Sequence, residues 1–191
     1  MFAYCNNDPV TLSDQLGNTP LTTITQFDRD GYRSDDSWAI KYDVPLLDQG
    51  RHNLCWANCM LMVFLYRSGK SSEEIDCLEA AKSLGEIYNG KEKWDSGVIP
   101  SRISKKARVD TVSDLFLLLY ENGPLYAYYV GNSGSHLVVV TGVDIDNGYI
   151  YTNNPQYVNG CQTFDEFFHG YVGLDGKTTT GYDFRGIYIP N

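Results

Sequence analysis

Apolar residues run almost unbroken from Leu54 to Leu65, through Trp56, Ala57, Met60, Leu61, Met62, Val63 and Phe64. On a helix this pattern buries most sides rather than one stripe, and it predicts a central core helix. A second helix is predicted from Ser71 to about Leu84, opened by the capping-box pair Ser71 and Glu74 and stopped at Gly85. Thr111 and Asp114 repeat that box ahead of Leu115, Phe116, Leu118 and Leu119, and Asn122, Gly123 and Pro124 break the helix. Strands are predicted at Leu125 to Val130, at His136 to Val143 and at Gly148 to Asn153, the last two joined by a turn at Asp146, Asn147 and Gly148. Thr163 and Glu166 cap a final short helix ending near Phe168, and Arg185 to Ile189 can close the sheet. Residues 87–110 read as loop or short helical turns.

Helices first and antiparallel strands after is the α+β pattern. Residues 1–40 show neither period and read as an N-terminal arm, a pro-segment, secretion signal or strap, before a folded domain at 41–191.

At 191 residues the chain fits one domain with a sizeable core. Its net charge of −9 argues against nucleic acid or an anionic membrane as partner, since phosphate binding needs a concentrated basic surface. The one basic cluster, Lys105, Lys106 and Arg108, reads as a solvated segment. No stretch approaches the roughly 20 apolar residues that span a bilayer, and no leader-like start is evident, so a soluble protein without membrane insertion is expected. Cys5, Cys55, Cys59, Cys77 and Cys161 are odd in number and fit no metal-site spacing. They lean towards a reducing compartment and imply no metal.

Chemistry concentrates around Cys55. The first turn of a helix presents free N–H groups and the positive end of the dipole, which favour a thiolate, and Cys55 falls there. Gln49 lies six residues upstream in a loop loosened by Gly50, where its amide could donate to an oxyanion beside the Cys55 N–H. A histidine on a rigid element distant in sequence is the expected base, and His136, at the mouth of a strand, answers that description. His52 is the rival base, although it lies in the same loop as the thiol. Asn153 or Asn154, before Pro155, can accept from the second ring nitrogen. Trp56 reads as site wall or as core. Cys59, Cys77 and Cys161 read as structural thiols, and His169 as a surface residue.

The segments LDQGRHNLCWANC, GSHLVVVTGVD and YIYTNNP resemble the papain-like superfamily, in which glutamine, cysteine, histidine and asparagine or aspartate occur in that order. The likeness is nearest to compact bacterial papain-like cysteine protease effectors and to peptidase domains that process bacteriocin leaders. It covers about residues 44–190. The resemblance implies a Cys55-bearing helical half packed on a twisted antiparallel sheet, and a cofactor-free, monomeric cysteine peptidase acting on protein or peptide substrates. It further implies Gln49 as oxyanion donor, Cys55 as nucleophile, His136 as base and Asn154 as orienting residue. As an effector, such a protein would be secreted or delivered to a host cell without a cleavable leader. Compact relatives usually carry Asp before the Pro, so Asn154 departs from them, and an amide supports imidazolium less than a carboxylate does. The same apparatus could serve a peptidoglycan amidase, a deamidase or a transglutaminase-like enzyme. An inactive fold of this kind would be a peptide-binding domain.

Overall fold

The structure, a computed structural model, describes residues 38–50, 54–73, 76–77, 79–81, 83–84, 104–132, 134–179 and 181–191. Residues 1–37 of the expected arm, the rival base His52 and residues 85–103 lie outside the described residues. In chain order the elements are β1 (Ala39–Lys41), α1 (Cys55–Ser68), β2 (Ser104–Ala107), α2 (Val112–Asn122), β3 (Leu125–Gly131), β4 (Gly134–Asp144), β5 (Tyr149–Asn154), β6 (Val158–Thr163), α3 (Phe164–Phe167) and β7 (Tyr182–Pro190). The fold is α+β.

One antiparallel sheet runs β2-β7-β3-β4-β5-β6, and β1 pairs with the far end of β4. The strand expected to close the sheet, β7, instead enters its interior between β2 and β3. Helix α1 packs on one face with Tyr126, Tyr128, Leu137 and Val139, while α2 and α3 cover the other with Leu125, Ala127, Tyr129, Val138 and Val140. This alternation is the period of two expected of a strand buried on both faces. Pairing of β4 with β5 slips by one residue between Val140 and Gly142, so Val143 rejoins the face of Val138 and Val140. Beside the slip, β1 passes so near that a side chain at Gly142 would meet the Ile40 carbonyl.

The capping boxes predicted at Thr111 with Asp114 and at Thr163 with Glu166 both form and open α2 and α3. That predicted at Ser71 does not open a helix. Described helical residues begin at Cys77, and Asp76 acts as the cap, its Oδ1 accepting from the Glu79 N–H at 3.0 Å. Glu74 falls outside the described residues. The 87–110 segment, expected to be irregular, holds strand β2, whose Lys105 and Lys106 stay exposed as is usual on an edge. At the end of α1, the Arg67 guanidinium donates to the Pro190 and Asn191 carbonyls and ties the helix to the tail of β7. No helix among the described residues is long and apolar enough to cross a membrane.

Candidate active site

Cys55 is the first residue of α1, and its side chain is partly exposed. The amides of Leu137, Trp56 and Cys55 itself lower the pKa of its thiol, as expected of a helix start, but burial raises it by more. The net direction is upward. Burial of the thiol thus opposes the stabilisation that the amides at the helix start provide.

His136 is 6 % exposed and lies near the start of β4. Its Nε2 lies 2.8 Å from Asn154 Oδ1. The tautomer follows from the partners of Asn154, whose Nδ2 donates to the Val172 carbonyl at 2.7 Å while its Oδ1 accepts from the Gln156 N–H at 3.0 Å. A carbonyl can only accept and an N–H can only donate, so the amide is fixed and the imidazole must donate from Nε2. Nδ1 is then the unprotonated nitrogen, with a lone pair that can take a proton.

Strand parity sets the two asparagines on opposite faces. Val139 pairs with Asn153, which therefore shares its face and donates from Nδ2 to the Val44 carbonyl at 2.7 Å. Asn154 lies on the opposite face, with His136.

The thiol and the imidazole are held through shared neighbours. No hydrogen bond joins them among the described contacts, as is common before a substrate tightens such a pair. Leu137, adjacent to His136, turns its N–H towards Cys55 and accepts from Cys59 Sγ at 3.3 Å through its carbonyl. Tyr171 packs on the imidazole with ring centroids 4.2 Å apart. Burial, then Tyr182, then Cys55 push its phenol up, which places Tyr171 within electrostatic reach of the thiol. Sequence reading missed this residue. It is one of 15 tyrosines and lies 35 positions from His136, and nothing local distinguishes it.

Gln49 is almost fully buried, and its N–H donates to the Pro155 carbonyl at 2.7 Å, while Asp48 bridges to Gln156. The loop that leads to Cys55 is thereby pinned to the turn after Asn154. Gly50 follows with φ +59°, a conformation glycine adopts without strain, and its N–H is held by Asp48 Oδ1. Trp56 is 5 % exposed in the core beneath α1. His169 is exposed, as expected, with Nδ1 beside the Asp165 carbonyl. Cys59 is buried, and all four described cysteines are thiols rather than disulfides.

Burial depresses the His136 pKa to about 4, and the Asn154 bond offsets only part of that effect. The imidazole is thus neutral near pH 7 and available as a base. Stability should respond, because between pH 6.5 and about 4 the unfolded chain takes up a proton at this site that the folded chain refuses. Urea denaturation across this window should show stability falling on acidification by about 1.4 kcal/mol per pH unit, about 3 kcal/mol altogether, from this one group. A His136→Gln variant should lose that component of the slope. An unchanged slope would mean that His136 titrates normally in the folded chain.

The family model described as papain-like cysteine protease AvrRpt2 matches residues 38–171, a span that includes Gln49, Cys55, His136, Asn154 and Tyr171. No curated protein matches the chain.

Proposed function

Because the chain belongs to the AvrRpt2 family of papain-like cysteine proteases, we propose that it cleaves peptide bonds with Cys55 as nucleophile, His136 as base and Asn154 as orienting residue. The observation that carries this reading is the fixed Asn154 amide, which commits Nε2 of His136 to donating and turns Nδ1 into the acceptor.

In the free protein the pair is neutral thiol and neutral imidazole, since burial disfavours both charged forms. Proton transfer from sulfur to Nδ1 therefore accompanies attack on the carbonyl carbon. The resulting imidazolium donates its proton to the departing amine as the carbon–nitrogen bond breaks. Water then attacks the thioester, giving its proton to His136, and releases the carboxylic acid and the Cys55 thiolate, which is reprotonated. The tetrahedral oxyanion would meet the Gln49 side-chain amide and the N–H of Cys55. The backbone bond from Gln49 to Pro155 supports this by fixing the loop that carries the amide. Proteins or peptides are the substrates such a family implies.

An epoxysuccinyl peptide tests the site directly. It alkylates a thiol whose proton is removed during attack, so a low resting pKa is not required. Peptide mass spectrometry should find the adduct on Cys55, with labelling at least about 100-fold slower in His136→Ala. Equal labelling of Cys55 and Cys77, indifferent to the His136 change, would sink the assignment.

A further inference from the structure

We propose that Tyr157 forms one wall of the substrate cleft and receives an apolar or aromatic side chain of the peptide, an inference that rests on the reading of Cys55, His136 and Asn154 given above. Asn154 and Val158 face each other in register, so β5 and β6 are joined by the three residues Pro155, Gln156 and Tyr157. Loops of this length are commonly a turn followed by one residue in the left-handed region, a place that suits glycine and, after it, asparagine. Pro155 fits the first position, where its fixed φ is favourable.

Tyr157 occupies the left-handed place, with φ +65°, and is the one non-glycine residue with positive φ among the described residues. Burial does not compensate, because Tyr157 is 64 % exposed. Strain in the backbone under an exposed aromatic ring is the kind of observation that points from structure to function.

The place of the turn points to the occupant. Its backbone is held by the Gln49 N–H at Pro155, by the bridge from Asp48 to Gln156, and by Asn154 Oδ1 at the Gln156 N–H. Tyr157 is therefore carried on the strip of chain that joins the Gln49 loop to Asn154, at the rim of the site. An aromatic ring on a rigid backbone loses little freedom when a ligand covers it, and contributes contact area without charge. The substrate it suits is a peptide with a bulky apolar residue close to the scissile bond.

The test uses the full chain and a mixture of synthetic decapeptides randomised at the four central positions, with cleavage read by mass spectrometry and Tm measured alongside. Tyr157→Asn should hold or raise Tm, by up to about 2–4 °C, as asparagine accepts this backbone more readily. It should reduce cleavage next to aliphatic and aromatic residues about tenfold, through KM, while Tyr157→Phe keeps wild-type behaviour. A Tyr157→Asn variant with the wild-type rate and cleavage pattern would overturn the proposal, as would a fall in Tm with equal losses on every peptide. If the wild-type chain cleaves none of the mixture, the reading of Cys55 fails and Tyr157 falls with it. If the wild type cleaves and the Tyr157 change is silent, Tyr157 alone falls.

Discussion

A Cys55→Ala variant is expected to lose peptide hydrolysis by at least about 10⁴-fold, with Tm within about 2 °C of the wild type. The rate falls so far because the acyl-enzyme route disappears, leaving only binding and oxyanion contacts to act on water. Stability holds because Cys55 packs at the margin of the α1 core and its change to alanine removes a single heavy atom. Cys55→Ser should be nearly as inactive, since burial that already pushes a thiol up disfavours an alkoxide still more. Cys77→Ala should retain wild-type turnover and serves as the control. Measured by mass spectrometry of peptide products, residual turnover above about 1 % in the alanine variant would mean that another group is the nucleophile.

Asn154→Asp should separate the charge at this position from the hydrogen bonds that the amide makes. The new charge beside Nε2 favours imidazolium, so the His136 pKa should rise from about 4. The carboxylate cannot donate to the Val172 carbonyl, however, and leaves two buried oxygens facing each other where a 2.7 Å hydrogen bond stood. A lost buried donor costs about 1–3 kcal/mol, or roughly 3–8 °C in Tm for a chain of this size. Val172 adjoins Tyr171, which packs on the imidazole, so the distortion reaches His136 from its other side. Turnover at pH 7 should fall about tenfold despite the stronger base, and Asn154→Ala about 100-fold. NMR titration of the His136 ring and a thermal melt would decide the matter. A raised Tm with an unmoved His136 pKa would place Asn154 away from the imidazole.

Much of this arrangement was legible in the residues because local chemistry determined it. Thr111 with Asp114 and Thr163 with Glu166 formed their boxes, and the turn expected at Asp146, Asn147 and Gly148 lies between β4 and β5. What stayed hidden depends on pairing across the chain. Strand β6 reads Val-Asn-Gly-Cys-Gln-Thr and β2 reads Ser-Lys-Lys-Ala, neither with the apolar alternation that marks a strand, and each exists by bonding to a partner. Ser71 carried a plausible cap pattern, but Asp76 lay nearer the first helical residues and had the better acceptor. Of the candidate site, Cys55, His136 and the asparagine pair stood out by their order and setting in the sequence. The choice of Asn154 needed strand parity, and the upward shift of the Cys55 thiol needed knowledge of its burial, which no spacing reveals.

The interior position of β7 bears on how the chain is made. Strands β2 and β3 are not neighbours, and both pair with β7, the last of the described strands in chain order. Until residues 182–190 are in place, β2 lacks its pairing with β7 and β3 lacks one of its two neighbours among the described strands. Closure of this part of the sheet therefore waits on contacts between segments distant in the chain. A reading-frame stop ahead of Tyr182 would part β2 from β3 and leave both without the strand between them.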